Sequence, residues 1–123
     1  MPKEKREYEG VKFEAFKTNY IIQPITLGEH TYISAGLVNR LSPETLKTIL
    51  LHEKYHQLAK ELKKPNTERN ADLYAANLVG KNIFKTSFEE WKAYRKIDIR
   101  HLITHGSIDS RIKFIENSNE IKG

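Results

Sequence analysis

Two histidines four residues apart, with a glutamate directly after the first, form the segment "HEKYH" at positions 52–56. Residues i and i+4 of a helix project from the same face, so His52 and His56 can bind one metal ion. Glu53 is rotated by about 100° from His52, so it stands beside the ion, where a general base can take a proton from metal-bound water. The alternative is a pair of polar positions and a surface carboxylate on an ordinary amphipathic helix.

A third metal ligand must come from elsewhere in the chain, because a catalytic zinc ion usually has three protein ligands and one open position. The chain has no cysteine, which leaves histidine and carboxylate. The segment "ERNADLYAANLVG" offers Glu68 and Asp72, again four residues apart. Glu68 can complete the ligand set, and Asp72 can accept a hydrogen bond from the outer nitrogen of one of the two histidines, with His52 preferred over His56. The alternatives are a first-turn glutamate favoured by the helix dipole and a solvated aspartate.

The helix that carries the motif has clear boundaries in the sequence. Ser42 is a good N-cap, Pro43 suits the first helical position, and Pro65 ends the apolar periodicity. A second helix, which carries the glutamate and is called the glutamate helix below, is predicted over 67–79 and ends at Gly80.

Two further helices are predicted after Gly80. The first begins at "SFEE", where Ser87 and Glu90 form a capping box, and continues to about residue 102. The last follows "HGS" and carries Ile108, Ile112 and Ile115 on one face.

The N-terminal part of the chain is rich in β-branched and aromatic residues, which predicts short strands at 11–16, 20–25 and 30–34. The last of these is predicted to be an edge strand directly before the motif helix. An exposed edge can pair with an extended peptide through main-chain hydrogen bonds. The predicted substrate-binding residues are Thr31, Tyr32, Ile33 and Ser34; an ordinary sheet strand is the alternative.

These elements predict a single α+β domain over residues 1–123, with flexible tails at 1–10 and 117–123. A small, mostly antiparallel sheet of about three strands would pack on the motif helix, the glutamate helix and one or two C-terminal helices.

The composition limits the partners that we expect. The formal net charge is +5, but lysines and arginines are interleaved with glutamates, as in "FEEWKAYRK", so we expect no specific binding of nucleic acid. No apolar run is long enough to span a membrane. The N-terminus "MPKEKREYEG" has no apolar middle of a secretory signal, so we expect a cytoplasmic protein.

The pairing of H-E-x-x-H on one helix with E-x-x-x-D on the next resembles gluzincin metallopeptidases. The flanking segment "YISAGLVNRLSPETLKTILLHEKYH" is similar to the strand, short loop and active-site helix of the HtpX and CAAX prenyl protease group of integral-membrane zinc peptidases. "HGSIDSRI", at 105–112, is similar to their downstream element, which has a histidine and an arginine six residues apart. The chain lacks their membrane spans, and Glu68 follows His56 by only twelve residues. In both features the chain resembles minigluzincins, small soluble proteins that contain this catalytic core alone.

This resemblance implies a zincin-like fold and a zinc-dependent metalloendopeptidase with one catalytic Zn²⁺. The ligands would be His52, His56 and Glu68, with Glu53 as the general base for a zinc-bound water and a peptide or protein as the substrate. It further implies that His105 stabilises the oxyanion and that Arg111 supports the site. Gly106 departs from the proline that usually follows this histidine, and the alternative is a loop histidine and a surface arginine.

Some small gluzincins are latent, which would imply a homo-oligomer or self-inhibition by a terminal segment such as "ENSNEIKG". Two other functions are also compatible with the sequence. One is a regulatory metallopeptidase that cleaves a repressor, which "ERNADLYAAN" would suit. The other is a non-catalytic module stabilised by zinc.

Overall fold

A computed structural model describes residues 3–94, 107–119 and 121 of the chain. The strands are β1 (Lys3–Tyr8), β2 (Val11–Phe16), β3 (Ile25–Leu27) and β4 (His30–Ser34). The helices are α1 (Ala35–Arg40), α2 (Pro43–Leu62), α3 (Glu68–Val79), α4 (Lys81–Lys92) and α5 (Ile108–Glu116). The predicted α+β class is therefore confirmed for the described residues.

The four strands form one mixed sheet in the order β1-β2-β4-β3. β1 and β2 pair in antiparallel fashion, as do β3 and β4, whereas β2 and β4 are parallel. The prediction of about three mostly antiparallel strands is thus confirmed in part: the described residues form four strands, and one of the three pairings is parallel. The chain passes from β2 to the edge strand β3 and turns back at Gly28, which has a φ of 63°. This return inserts β4 between β2 and β3.

Two predicted strands, 11–16 and 30–34, agree with the structure, but the middle one does not. Residues 20–24 form no strand, because Pro24 has no N–H to donate and the N–H of Ile22 donates to the Ser34 hydroxyl at 2.8 Å. The predicted tail over 1–10 is wrong from Lys3 to Tyr8, which pairs with β2. The sequence "KEKREY" lacks the apolar alternation of a half-buried strand, although Lys5 lies opposite Glu14.

β4 is an interior strand, which corrects the prediction of an edge strand at Thr31, Tyr32, Ile33 and Ser34. It pairs with β2 on one side and with β3 on the other. The edge of the sheet next to the helices that follow is β3.

α2 and α3 begin and end as predicted. Ser42 caps α2 by accepting from the N–H of Thr45, and Pro43 is its first residue. Thr67 caps α3 in the same way from the N–H of Asn70, and Gly80 ends it.

α4 begins at Lys81, six residues before the predicted start, so the capping box at Ser87 is wrong. Ser87 lies buried in the middle of the helix, where its hydroxyl is 3.1 Å from that of Thr48. The rings of Phe84 and Phe88 stack at 4.0 Å and pack into the core. α4 ends at Lys92, so the predicted continuation to about residue 102 is wrong at residues 93–94, and its part over 95–102 lies outside the described residues.

The core lies between one face of the sheet and the helices. Its buried apolar residues include Val11, Phe13, Ala15, Ile33, Ile49, Leu50, Phe84, Phe88, Ile108, Ile112 and Ile115. Ile121 also belongs to it, with 4% of its surface exposed. The prediction of a flexible tail over 117–123 is therefore wrong at this residue. In the described part of the chain, no helix combines the length and the apolar character that crossing a membrane requires.

Candidate metal centre

The motif on α2 brings two histidine rings together. Nε2 of His52 lies 3.3 Å from Nε2 of His56. One ligand atom from each of His52, Glu53 and His56 can be chosen so that all three lie within 4.8 Å of one another. This group could hold a metal ion.

Glu68, the first residue of α3, reaches both histidines. Its Oε2 is 2.9 Å from Nε2 of His52, and its Oε1 is 3.1 Å from Nε2 of His56. Ligands of a tetrahedral zinc ion, each about 2.0–2.1 Å from the metal, are about 3.3 Å from one another. The two imidazoles and the Glu68 carboxylate thus have the chemistry and the spacing of zinc ligands. The predicted ligand residues converge on one point.

The outer nitrogen of His52 faces Asp72, as predicted. Nδ1 of His52 is 2.7 Å from Oδ1 of Asp72, a side chain that is almost completely buried. Arg111 on α5 donates to both oxygens of this carboxylate, from Nε at 2.9 Å and from Nη2 at 2.8 Å. The guanidinium is itself buried, 4.9 Å from the centre of the Phe88 ring. With Asp72 as its acceptor, Nδ1 of His52 carries a proton, and Nε2 points towards Nε2 of His56 and the Glu68 carboxylate.

The outer nitrogen of His56 has a partner that the sequence analysis did not identify. Oδ1 of Asn66, in the linker between α2 and α3, lies 2.6 Å from Nδ1 of His56. The carbonyl of Pro65 accepts from the Tyr55 hydroxyl at 2.7 Å and from the Asn70 amide at 3.0 Å, and these bonds fix the linker. The sequence signal that could have identified Asn66 is an amide residue in the short linker between the two helices that carry the predicted ligands.

Glu53 is buried beside the histidines, with 6% of its surface exposed. Within the described residues, its Oε2 has no hydrogen-bond partner. Leaving a buried carboxylate oxygen without a partner costs about 1–3 kcal/mol or more, so this atom is available to a bound water or ion. Glu53 is also one of the residues that line an open cleft of about 340 Å³, together with Gln23, Pro24, Ile25, Thr26, Gly28, His56, Asn66 and Glu68.

The electrostatics of the site favour a cation. Burial lowers the pKa of His52, but hydrogen bonds to Asp72 and Glu68 outweigh it and raise the pKa to about 9. Burial and the charge of His52 lower the pKa of His56, yet its bond to Glu68 gives a net rise. With neutral histidines, the carboxylates of Glu53, Glu68 and Asp72 and the guanidinium of Arg111 leave two net negative charges, which a divalent ion would neutralise.

The cleft differs from the predicted substrate site in one respect. Thr31 is buried, and the Ser34 hydroxyl accepts from the N–H groups of Ile22 and Leu37. No residue of β4 is among the described residues that line the cleft. β3 borders it through Ile25 and Thr26. His105, the predicted oxyanion stabiliser, lies outside the described residues.

Comparison with known proteins gives no relative. No protein-family model matches the chain, and neither does any curated protein or solved structure.

Proposed function

We propose that this protein is a zinc-dependent endopeptidase of the gluzincin type. The observation that carries the proposal is the convergence of Nε2 of His52, Nε2 of His56 and the Glu68 carboxylate within 2.9–3.3 Å of one another. The site also holds a buried carboxylate oxygen of Glu53 that lacks a hydrogen-bond partner among the described residues, which suits a general base.

The residues of the chain have separate tasks in this proposal. Zinc, when bound, supplies a Lewis acid that polarises a carbonyl and makes water more acidic. Asp72 and Asn66 accept hydrogen bonds from the Nδ1 atoms and keep both Nε2 atoms directed at one point. Glu53 takes the proton of the water that attacks the peptide carbonyl and passes it to the departing amine nitrogen. The amide bond breaks, and water supplies the oxygen of the new carboxyl group.

The substrate is expected to lie along β3, which replaces β4 in the role predicted from the sequence. Within the described residues, β3 pairs only with β4, so its other side can accept an extended peptide through main-chain hydrogen bonds. It borders the same cleft as Glu53, His56 and Glu68. This geometry suits an unfolded or extended segment of a protein.

The test combines metal analysis with proteolysis. The purified protein should contain about one zinc per chain and should digest casein until a chelator removes the metal. Glu53→Gln should keep the zinc and lower the rate by about 100- to 10,000-fold. Glu61→Gln, an exposed glutamate on the same helix, is the matched control.

Three results of this test would each contradict a different part of the proposal. Absence of zinc from the wild-type protein would remove the metal centre itself. Full activity of Glu53→Gln would remove the general base. Zinc without proteolysis would favour a module that zinc only stabilises.

A further inference from the structure

Three side chains connect the metal-binding turn of α2 to the edge strand of the sheet. Gln57 directly follows His56, and its Nε2 donates to Oγ1 of Thr31 at 2.6 Å. Oγ1 of Thr31 is 2.7 Å from Oγ1 of Thr26 on β3. The same Gln57 amide reaches the carbonyl of Lys12 at 3.4 Å. A continuous row of side-chain hydrogen bonds therefore runs from α2 through β4 to β3.

Burial makes this row costly to break. Thr31 has only 1% of its surface exposed, and it lies directly opposite Thr26 in the β3–β4 pairing. Thr31 accepts a hydrogen bond from Gln57, so its own hydroxyl proton can be donated to Thr26. The buried proton of Thr31 then has an acceptor. Removing Thr26 would leave the buried hydroxyl proton of Thr31 without its acceptor in this row.

β3 needs such a connection because it is short and lies at the edge. It has three residues, and in the described part of the chain its only strand partner is β4. Pairing with β4 places β3 in the sheet but leaves its distance from α2 to side-chain contacts. Gln57 lies in the same turn of α2 as His56. Its hydrogen bonds therefore fix where β3 lies relative to the proposed metal centre.

We propose that Gln57, Thr31 and Thr26 are positioning residues that set the distance between the substrate-binding edge of β3 and the metal centre. The inference rests on the proposed binding of an extended peptide along β3. None of the three side chains would touch the metal. Their loss should weaken the contribution of the peptide backbone to binding and leave metal binding unchanged.

Binding of two hydroxamates to the zinc-loaded protein can separate these effects. Acetohydroxamate reports on the metal alone, whereas a tripeptide hydroxamate also reports on the edge strand. In wild type we expect the tightest of a small set of tripeptide hydroxamates to bind at least about 100-fold more tightly than acetohydroxamate. In Thr26→Val this ratio should fall by at least about tenfold, with the affinities for zinc and acetohydroxamate changed by less than about twofold. Gln57→Leu should show the same split.

Rescue and control variants separate positioning from a general loss of structure. Thr26→Ser restores the hydroxyl and should restore the ratio. Thr86→Val, on the exposed side of α4, should leave it unchanged.

The possible failures differ from one another. A wild-type ratio in Thr26→Val, or no gain from the peptide in wild type, would overturn the positioning role while the metal centre stands. Wild-type protein that binds no zinc would overturn the proposed function, and the positioning role with it.

Discussion

Nδ1 of His52 lies 2.7 Å from Oδ1 of Asp72, and the same carboxylate accepts two hydrogen bonds from Arg111. These three residues lie on α2, α3 and α5 and form one buried chain of charges. Burial alone would raise the pKa of Asp72. The hydrogen bonds and charges of Arg111 and His52 have the larger effect and hold that pKa below its usual value. These three residues join the proposed metal centre to the core, so a change at Asp72 should affect both.

Replacing Asp72 by asparagine should therefore weaken zinc binding and lower stability. An amide accepts a weaker hydrogen bond from His52 and cannot neutralise Arg111. Loss of such an outer partner typically costs 10- to 100-fold in metal affinity, and breaking a buried ion pair costs about 3–5 kcal/mol. Competition with a chromophoric chelator and urea unfolding of the zinc-free protein measure the two effects.

The matched control is Asp109→Asn, because Asp109 is an exposed carboxylate that also pairs with a cation, Lys92. It should leave zinc affinity within about twofold and stability within about 0.5 kcal/mol of wild type. An equal loss in both variants would contradict a special role for Asp72.

Zinc affinity should rise with pH across the neutral range. The zinc-free folded protein holds the proton of His52 up to its pKa of about 9, above the ordinary value of 6.5. Zinc must displace a proton from this histidine, so from pH 6.5 to 8.5 the apparent affinity should increase at least about tenfold per unit. The stabilising effect of that proton on the zinc-free protein is complete below pH 6.5 and is lost as pH rises through about 9.

Calorimetry in buffers of different ionisation enthalpy counts the protons released and checks this prediction. His30→Gln, on the exposed first residue of β4, should release the same number as wild type. A zinc affinity that is independent of pH would contradict a raised pKa for His52.

The elements that carry the proposed ligands were predictable because their signals are local. The caps Ser42 and Thr67 and the C-terminal Gly80 act within one turn of their own helix, and the spacing of His52 and His56 depends only on helix geometry. That Glu68 reaches them follows from a short linker between two neighbouring helices.

The parts of the fold and of the site that could not be predicted from the sequence depend on contacts between distant residues. Ser87 and Glu90 have the spacing of a capping box, but Ser87 is buried against Thr48, and Glu90 binds the start of α2. β1 is a charged segment that becomes a strand only because β2 offers it an edge. Asn66 is an exposed linker residue, and only the folded linker places it beside His56.

Glu90 should stabilise the start of the motif helix from a distance. Its carboxylate accepts from the N–H and the hydroxyl of Ser42 at 2.8 and 2.7 Å, and from the Thr45 hydroxyl at 2.6 Å. Burial raises the pKa of Glu90, but these bonds outweigh it and hold the pKa below its usual value. Glu90→Gln should lower the free energy of unfolding by about 1–2 kcal/mol.

Urea unfolding at several pH values tests this role. Because the folded pKa is depressed, the contribution of Glu90 is present above its ordinary pKa and is lost as pH falls below it. The difference between Glu90→Gln and wild type should therefore narrow at acidic pH. The neighbouring exposed Glu89→Gln should cost less than about 0.5 kcal/mol; if it costs as much as Glu90→Gln, the capping contacts are not the cause.

Gly36 should tolerate no side chain, although it lies in a helix, where alanine is normally better than glycine by about 0.5–1 kcal/mol. A Cβ at this position would clash with the carbonyl oxygen of Asn19 and would lie 2.6 Å from that of Tyr20. The same segment is held there by a bond from the Gly36 N–H to the carbonyl of Thr18 at 2.8 Å. Since the clash is with backbone, rotation of a side chain cannot relieve it.

Gly36→Ala should therefore lower the free energy of unfolding by about 1–3 kcal/mol, measured by urea denaturation of the zinc-free protein. Gly10→Ala is the comparison, because nothing lies within 4 Å of its Cβ position and only its φ of 79° opposes the change. That strain costs about 1–2 kcal/mol and should not alter the cleft. The displaced segment at 18–20 leads to Gln23 and Ile25, which line the cleft. Gly36→Ala should thus also weaken a tripeptide hydroxamate, whereas an increase in stability would show that the segment does not lie against α1.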